Sequence, residues 1–360
     1  MAGSVFPERI TRFLAAKLEE VKHSQGEGSS AYRGLALQYL RDPREDVALA
    51  EQNLKYYEAG VDVSAGGEGL AGLERLYRRT LVIEPTLACV ANCRYCLRGN
   101  YAKHTLTEKQ LVAVAEYCGN ERNRQTLNEV LITGGDPLLV PHRVEILLSA
   151  LIDHAPNIEI VRLATRVTSQ DPDRVDESVL GLFQNKPSLR FELATQINHP
   201  VEFFPETVAA FAEIRKLGVK IYAQNVLLKG VNDDLAVLID LYDRMRQNDI
   251  EAHYLFHAVP LQGTHHLRTT VDKVIRLAQQ LTSSGNISGR AKPMVAAMTD
   301  IGKITFYEGS IVRRKERLLL LQTYYRLEDR LAWNPSWKLP SSAEVDDQGC
   351  LRVWYLDGED

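Results

Sequence analysis

The chain has 360 residues, of which 45% are hydrophobic and 25% are charged. This length and composition predict one large globular domain with appendages, because they provide for a sizeable core and an ordinary polar surface. The formal net charge is only −4, so the charge balance gives no support for nucleic-acid binding. No apolar run approaches the roughly 20 residues that a helix needs to cross a bilayer, and we expect no membrane span.

Residues 1–71 are predicted to form a helical extension ahead of the main domain. Apolar residues recur at helical spacing over residues 7–21, and a Gly/Ser-rich break ends that pattern. A second helix is predicted over residues 31–40 and a third over 43–59, where Gly60 ends it. We expect this extension to cap the core domain without a chemical role.

From residue 72 to residue 287 the pattern changes to alternating strands and helices. Apolar, β-branched runs predict six strands, at residues 80–83, 130–133, 158–164, 189–194, 219–228 and 253–256. Amphipathic stretches predict helices at residues 108–118, 144–154, 177–185, 206–217, 235–248 and 271–283. Such alternation is typical of a parallel sheet with helices outside it. In folds of this kind, ligands bind at the carboxyl ends of the strands.

Three cysteines fall within eight residues, shortly after the first predicted strand. Cys89, Cys93 and Cys96 have the spacing C-x3-C-x2-C, which lets one tight loop present three sulfur ligands to a metal centre. Thiolates are typical ligands of iron–sulfur clusters and of zinc. Zinc needs a fourth ligand, for which His104 is the nearest candidate, but the chain has no second paired-ligand motif. A disulfide is disfavoured because no signal peptide indicates an oxidising compartment, and we expect a cytoplasmic protein.

Polar residues follow the later strands at the same end of the predicted sheet. Gly134, Gly135 and Asp136 follow the second strand, where glycines allow close approach of a ligand and the carboxylate can accept a hydrogen bond. The candidates after the remaining strands are Arg166, Gln196, Gln224, Asn225 and His257. His199 and His257 are candidate general bases, although a single histidine is more often a structural residue.

Residues 288–360 have a weaker pattern and form the third predicted segment. The sequence predicts a strand over residues 303–307, a charged helix over 313–333 and a short strand over 350–356. Four leucines and two tyrosines of that helix predict a packing face or a dimer surface.

These motifs resemble the radical S-adenosylmethionine (SAM) superfamily, and in particular its lysine 2,3-aminomutase branch. The cysteine loop has an aromatic residue, Tyr95, before its last cysteine, as in that superfamily. Matching segments run in order from about Gly72 to Gly309 and are CRYCLR at 93–98, ITGGDP at 132–137, NHP at 198–200, QNVLLKGVND at 224–233, YLF at 254–256, GTHHLRT at 263–269 and SG at 288–289.

The resemblance implies an α/β fold, an open partial (β/α)6 barrel with a helical N-terminal extension and a short C-terminal α+β appendage. It implies a [4Fe-4S] cluster on the three loop cysteines and a bound SAM, whose reductive cleavage gives a 5′-deoxyadenosyl radical. A flavodoxin- or ferredoxin-type donor would supply the electron. The oligomers known in the family suggest a homodimer, and a small-molecule carboxylate is the implied substrate.

The resemblance also implies roles for individual residues. Residues 134–136 would receive the methionyl ammonium of SAM, and Tyr95 would pack near its adenine. Polar residues expected near SAM or substrate are Arg166, Gln196, Gln224 and Asn225. Arg98 stands two residues past the last cysteine, where the aminomutases grip the substrate carboxylate. A guanidinium is well suited to this role because it pairs with a carboxylate through two hydrogen bonds.

The sequence departs from the aminomutases at their site for pyridoxal phosphate (PLP). Those enzymes carry PLP on the lysine of a Pro-Gly-Gly-Gly-Gly-Lys loop, which is missing here. Lys303 is present, but the residues after it match a later strand of the family. The cations that hold the PLP phosphate should flank Tyr77, where Leu76 and Thr80 stand instead. We therefore expect that PLP is not used.

The sequence also departs from the aminomutases at the residues that bind their substrate. Val259 and Met298 stand where the family has two aspartates that hold the distal ammonium of lysine. Lysine is disfavoured as a substrate, because its ammonium would lose water there without gaining a partner. Together with Arg98 and Tyr77, these two residues make up the predicted substrate-binding set.

The predicted function is that of a PLP-free radical SAM enzyme that abstracts hydrogen from a small polar substrate carrying a carboxylate. A sugar acid, a nucleoside acid or an amino-acid-like molecule fits, with decarboxylation, dehydration, epimerisation or oxidation as the outcome, in natural-product biosynthesis. The alternatives are an aminomutase with a remodelled PLP site on Lys303 or Lys292, a non-catalytic SAM-binding scaffold, and a zinc-binding structural module.

Overall fold

The structure is a computed structural model, and it describes residues 6–47, 63–65, 68–100, 104–287 and 292–360. Two predictions fall outside these ranges. Of the third N-terminal helix, only the 3-10 turn Pro43–Asp46 is described. The SG motif at residues 288–289 also lies outside the described residues.

The described secondary structure comprises short and long elements of both kinds. The helices are α1 (Arg12–Gln25), α2 (Ser30–Tyr39), α3 (Glu108–Gly119), α4 (Pro141–His154), α5 (Val167–Gln170), α6 (Glu177–Leu180), α7 (Pro205–Lys216), α8 (Leu235–Gln247), α9 (Val271–Ser283) and α10 (Leu327–Trp333). The strands are β1 (Ser64–Ala65), β2 (Glu68–Gly69), β3 (Leu73–Glu74), β4 (Thr80–Thr86), β5 (Glu129–Gly134), β6 (Ile160–Thr165), β7 (Arg190–Thr195), β8 (Lys220–Leu227), β9 (Ile250–His257), β10 (Met294–Thr299), β11 (Gly302–Thr305), β12 (Ile311–Lys315), β13 (Leu318–Arg326), β14 (Ala343–Val345) and β15 (Cys350–Leu356). Within the described part of the chain, no helix is long and apolar enough to cross a membrane.

Nine strands form one large sheet, in the order β11-β10-β9-β8-β7-β6-β5-β4-β3. The strands from β4 to β10 run parallel, whereas β3 and β11 pair antiparallel at the two edges. The six predicted strands correspond to β4–β9, with the predicted helices between them, so the partial barrel is confirmed. The seventh parallel strand, β10, was not predicted, because Ala296 and Ala297 give it little β propensity.

Alternate residues of the central strands face two different environments. In β5, Val130 and Ile132 are buried, whereas Leu131 and Thr133 keep partial solvent access. The next strand, β6, repeats this alternation. Successive side chains of a strand point to opposite faces, and the buried set packs against the helices in the main core. The other face therefore lines a lumen that solvent can enter.

The predicted helices α1 and α2 are confirmed and pack over the end of the barrel that carries the cysteine loop. Their apolar faces bury Leu14, Leu35 and Tyr39 against one another. The same cluster includes Ala91 of the cysteine loop and Phe204, which follows β7. The N-terminal extension therefore packs on the loops at the carboxyl ends of the strands.

The C-terminal segment is a four-stranded antiparallel sheet, in the order β12-β13-β15-β14. The charged helix predicted over residues 313–333 is wrong, because only Leu327–Trp333 is helical and the rest forms the β12–β13 hairpin. The hairpin turns at Glu316, whose φ is 52°. β13 pairs with β15, and Leu319 and Leu321 pack in the core on one face of this sheet, which overrides their helical propensity. The strands predicted over residues 303–307 and 350–356 are confirmed as β11 and β15.

Candidate active site

The three cysteines lie on the loop between β4 and the 3-10 turn Leu97–Asn100, at the carboxyl end of the sheet. All three keep partial solvent access, and the amide of Cys96 donates to the carbonyl of Cys93 at 3.0 Å. Within the described ranges, no three His, Cys, Asp or Glu side chains are arranged to hold one metal ion. A zinc site requires its ligands to meet on a single ion. A cubane cluster does not, since each cysteine binds a different iron.

His104, the fourth ligand considered for zinc, is engaged at the barrel wall. Its Nε2 lies 3.0 Å from the carbonyl oxygen of Glu84. Its ring occupies the space beside the Cα of Gly72. The zinc alternative therefore gains no support from this histidine.

The glycine pair after β5 packs directly against the start of the cysteine loop. The amide of Gly135 donates to the carbonyl of Thr86, and the amide of Asp136 to that of Ala88, both at 2.8 Å. Gly134 has a φ of 107°, a backbone conformation that favours glycine. A Cβ placed on Gly135 would lie 2.1 Å from the carbonyl oxygen of Ala88. The pair therefore fixes the backbone one residue before the first cysteine.

Asp136 is held by the protein around it. Its carboxylate accepts from the Thr165 hydroxyl at 2.8 and 2.9 Å, from the Arg166 amide at 2.8 Å and from the Leu138 amide at 3.1 Å. Burial raises the pKa of Asp136 to about 6, although these donors oppose the shift. Asp136 thus ties the end of β5 to the end of β6. Because its carboxylate is taken up by these donors, the predicted contact with the SAM ammonium is not supported by this geometry.

Two buried side chains donate to the sulfur of Cys93. Arg166 Nη1 lies 3.1 Å and Gln170 Nε2 lies 3.2 Å from Cys93 Sγ. Both residues follow β6, Arg166 as the residue before α5 and Gln170 at its end. Hydrogen bonds to an ionised acceptor are the stronger kind, so a thiolate at Cys93 gains stabilisation here. Arg166 was predicted as a cofactor residue, whereas Gln170 was missed.

A buried polar network surrounds Arg166. Its Nη2 lies 2.6 Å from Glu202 Oε2 and 3.2 Å from Gln38 Oε1, and its Nη1 donates to the Tyr95 hydroxyl. Asn198 Nδ2 donates to the same hydroxyl at 2.6 Å. Burial raises the pKa of Tyr95 well above its usual value, so the phenol stays neutral. Tyr95 is therefore anchored by its hydroxyl beside the loop cysteines.

The N-terminal extension, expected to be a cap without chemistry, supplies part of this network. Gln38 is fully buried and also donates to Glu202 Oε1 at 3.0 Å. The guanidinium of Arg166 lies 5.2 Å from the ring centre of Tyr39, a cation–π contact. Both residues stand on α2, where a glutamine and a tyrosine in an amphipathic pattern give no local signal of a functional role.

The remaining predicted cofactor residues divide between the lumen and the helix layer. Gln196 Oε1 lies 3.3 Å from the Tyr95 hydroxyl, and Gln224 keeps partial solvent access at a bulge in β8. Asn225 is fully buried, donates to the carbonyl of Ile197, and lies 3.7 Å from Met245 Sδ on α8. Asn225 therefore faces the helices, and the cofactor role predicted for it is not supported.

His257, predicted as a general base, is enclosed by the C-terminal segment. Its Nε2 lies 2.6 Å from the carbonyl oxygen of Thr269 and its Nδ1 lies 2.7 Å from the Tyr355 hydroxyl. Because a carbonyl can only accept, Nε2 carries the proton and Nδ1 accepts from the phenol. Both nitrogens are used and the ring is fully buried, so His257 is a structural residue. His199 is structural as well, since its Nδ1 accepts from the Val201 amide at 3.1 Å.

The burial of His257 predicts that the folding stability of the protein decreases in acid. Burial, reinforced by the Arg268 charge, lowers the pKa of His257 to about 3. The unfolded chain takes up a proton near pH 6.5, so the unfolded state gains about 1.4 kcal/mol per pH unit between pH 6.5 and 3. From about pH 7 to about pH 5, this group alone should cost about 2 kcal/mol of stability. The variant His257→Gln has an amide that can donate and accept but cannot titrate, so its urea denaturation should depend less on pH. If the unfolding free energies of wild type and His257→Gln depended equally on pH, His257 would not be the buried neutral group described here.

Arg98, the predicted carboxylate receptor, is already paired with two carboxylates of the chain. Its Nε donates to Glu84 Oε1, and its Nη2 lies 3.5 Å from Glu74 Oε1. Glu84 stands on β4 and Glu74 on β3, and both side chains are buried. A substrate carboxylate at Arg98 would compete with these residues and would meet their negative charge.

Val259 and Met298, aligned with the two substrate aspartates of the family, do come together. They line one shallow cleft, whose wall also includes Asp300 and Tyr355. The side chain of Asp300 accepts a hydrogen bond from the Ser342 hydroxyl.

Lys303 lies nearby, on the same face of the sheet as Met298, its register partner. Its Nζ lies 3.9 Å from the ring centre of Tyr254 and 5.9 Å from that of Tyr77. Burial, reinforced by the charge of Arg162, lowers the pKa of Lys303 to about 8. Tyr77 and Lys303 therefore meet at the edge of the lumen.

Residues 83–242 match the family model described as the radical SAM superfamily. A protein of Aquifex aeolicus (strain VF5), provisionally named as an L-lysine 2,3-aminomutase, is 28% identical over 310 residues, which are 82% of each chain. Glutamate 2,3-aminomutase of Clostridioides difficile (strain 630) is 28% identical, over 70% of this chain and 59% of the relative. L-lysine 2,3-aminomutase of Clostridium subterminale is 26% identical, over 70% of this chain and 60% of the relative. The chain thus spans less than two thirds of the latter two proteins.

Among solved structures, a radical SAM methyltransferase from Sphaerobacter thermophilus superposes with a TM-score of 0.47 at 18% identity, covering 64% of this chain and 69% of that chain. Radical SAM enzymes use a [4Fe-4S] cluster and SAM, which together supply the one-electron cleavage that generates a 5′-deoxyadenosyl radical. Three thiols on one partly exposed loop, with two N–H donors on one sulfur, fit such a cluster. Residues 83–242 thus form a radical SAM domain, and the relatives that the chain matches are named as lysine and glutamate 2,3-aminomutases.

Proposed function

We propose that this protein cleaves SAM reductively and abstracts hydrogen from a small polar substrate that carries a carboxylate, without using PLP. The observation that carries this proposal is the position of the cysteine loop, at the mouth of a solvent-accessible lumen lined by charged side chains. Decarboxylation, dehydration, epimerisation and oxidation each need only a substrate radical. Decarboxylation of a sugar acid or nucleoside acid in natural-product biosynthesis is the favoured outcome.

The lumen has a polar wall suited to such a substrate. Arg162 reaches across neighbouring strands, with Nη2 2.8 Å from Glu129 Oε1 and Nε 3.2 Å from Glu192 Oε2. All three side chains keep partial solvent access. Charged groups that are paired yet hydrated favour a hydroxylated or ionic substrate over an apolar one.

Arg75 is close to Tyr77 in the sequence, but its contacts do not support a site for the PLP phosphate. Arg75 is fully buried and donates to Thr126 Oγ1 at 2.9 Å and to Asn123. It therefore serves the barrel wall and does not face the lumen as a phosphate receptor. The family's glycine-rich lysine loop is also missing from the sequence.

Lys303 is a better-placed receptor for the substrate carboxylate than Arg98. Arg98 already forms ion pairs with Glu84 and Glu74. Lys303 forms no ion pair with any residue in the described ranges. Its ammonium lies over the faces of two tyrosine rings, and the charge of Glu129 opposes the lowering of its pKa. A partly exposed ammonium without a direct ion pair can still form a charge-assisted hydrogen bond with an anionic ligand.

The test of the proposed function uses the full chain, reconstituted with iron and sulfide under anaerobic conditions. With SAM and dithionite it should form 5′-deoxyadenosine. A deuterium-labelled sugar acid or nucleoside acid that serves as substrate should transfer deuterium into that product. A protein that holds iron and SAM but forms no 5′-deoxyadenosine would support the non-catalytic scaffold instead.

A second candidate function, a PLP-dependent 2,3-aminomutase, is favoured by the same lysine. Lys303 presents an amine with a lowered pKa near the lumen, a property of lysines that form imines. The curated relatives are named as aminomutases.

Two substitutions at Lys303 distinguish these roles. Lys303→Met should raise the KM for the carboxylate substrate roughly 10- to 100-fold, because a charged hydrogen bond is lost. Lys303→Arg keeps the charge but cannot form an imine, so it should retain most activity if Lys303 binds a carboxylate. Abolished turnover in Lys303→Arg, together with PLP trapped on wild-type Lys303 by borohydride, would establish the aminomutase instead.

Partners and location remain part of the proposal. The partly exposed cysteine loop supports electron delivery by a flavodoxin- or ferredoxin-type donor in the cytoplasm. We also propose a homodimer that uses the C-terminal sheet, on which Tyr324 is 91% exposed. Light scattering of wild type and Tyr324→Glu would test the dimer.

A further inference from the structure

The sulfur of Cys93 receives two hydrogen bonds from groups that the fold holds rigidly. Arg166 Nη1 and Gln170 Nε2 lie 3.1 and 3.2 Å from Cys93 Sγ, and both residues are buried, 8% and 2% exposed. They stand four residues apart around α5, so one short helical turn presents both donors to one sulfur.

The position of Arg166 is fixed from both ends. Its backbone amide donates to Asp136 Oδ2 at 2.8 Å, which ties it to the segment that supports the cysteine loop. Its guanidinium is held by Glu202 at 2.6 Å and by Gln38 at 3.2 Å. The charge of Glu202 compensates the cation, so Arg166 stays ionised although it is buried.

The position of Gln170 is fixed by the N-terminal extension. Its backbone carbonyl accepts from the hydroxyl of Thr11, the residue that caps α1. Its side-chain amide also lies 3.5 Å from the Tyr39 hydroxyl on α2. The extension therefore holds the second donor of Cys93 in place.

We propose that Arg166 and Gln170 are positioning residues that raise the reduction potential of the cluster through Cys93. Reduction adds one negative charge to the cluster and its thiolates. N–H donors on a ligand sulfur, one of them cationic, stabilise that added charge more than the oxidised state. The electron itself comes from the external reductant. This inference rests on the cluster and not on the identity of the substrate.

A purely structural role for these two side chains would give a different result. If they only packed against the loop, their removal would change stability or iron retention but would leave the potential of the retained cluster unchanged. The midpoint potential is therefore the decisive measurement. It is read from the reduced fraction in EPR-monitored titrations with dithionite, without any substrate.

Leucine and glutamate are both similar in size to glutamine, so the variants Gln170→Leu and Gln170→Glu test two increasing electrostatic changes at one position. Gln170→Leu removes one donor, and we expect the ratio of reduced to oxidised cluster at fixed potential to fall about tenfold, or about 59 mV for a one-electron couple. Gln170→Glu adds a negative charge beside the sulfur and should lower the ratio further. Asn157→Leu is the matched control, because Asn157 donates to the carbonyls of Cys118 and Leu127 at the opposite end of the barrel. It should leave the potential unchanged.

A second measurement covers the case in which a Gln170 variant fails to retain iron. In the wild-type protein, pulsed EPR of the reduced cluster should detect exchangeable protons and nitrogen coupled to it, from the donors on Cys93. Equal potentials in wild type, Gln170→Leu and Gln170→Glu would overturn the proposal. So would the absence of any exchangeable proton coupling in the wild type.

Discussion

Replacing Cys93 with alanine is expected to reduce bound iron and sulfide to background and to abolish 5′-deoxyadenosine formation. Two buried donors converge on Cys93, so its removal deletes a ligand and also the acceptor that Arg166 and Gln170 share. Each cysteine binds its own iron, and three ligands on one loop cannot compensate for the loss of one. Cys89→Ala and Cys96→Ala should give the same result.

The matched control for these variants is Cys118→Ala. Cys118 is fully buried on α3, away from the loop, and burial raises the pKa of its thiol to about 12, which makes it a poor ligand. This variant should keep wild-type iron content and SAM cleavage. If Cys93→Ala kept its iron, or if wild-type protein carried zinc and no iron, the cluster assignment would be wrong.

The second large effect is expected from Gly135→Ala. The added Cβ would lie 2.1 Å from the carbonyl oxygen of Ala88 and 2.5 Å from the carbonyl carbon of Leu87. Both contacts are to backbone, so the loop must move, and overpacking of this kind typically costs about 1–3 kcal/mol. Ala88 directly precedes Cys89, so the displacement reaches the first iron ligand. We expect a lowered melting temperature together with a large loss of reconstituted cluster.

Gly181→Ala is the matched control for the glycine substitution. Nothing lies within 4 Å of a Cβ on Gly181, and its φ of −58° suits any residue. The free energy of unfolding should stay unchanged or rise by about 0.4–1 kcal/mol, because alanine restricts the unfolded chain. If Gly135→Ala reconstituted as well as Gly181→Ala, the glycine pair would have no role in shaping the loop.

Two polar residues at strand ends, Arg166 and His257, show what a sequence pattern can and cannot predict about a site. Both were predicted because they follow a strand at the carboxyl end of the sheet. Arg166 contacts a cluster cysteine, whereas His257 is enclosed by Tyr355 and Thr269. The difference arises from the C-terminal sheet, which packs over the end of β9. A pattern of strands and polar residues does not indicate which strand end a later segment will cover.

The sequence by itself determined the alternation of strands and helices from β4 to α9 and the cysteine loop, whereas the partial barrel was implied by the family resemblance. The alternation and the loop depend on local periodicity and on ligands that lie within eight residues of one another. Only the tertiary structure decided which side chains surround the loop. Gln38 and Arg166 meet across 128 residues of sequence, and Arg98 in the turn after the cysteine loop pairs with Glu84 on β4. Buried charges must be compensated once the chain has folded, and this requirement decides which residues become partners. No local sequence pattern contains that information.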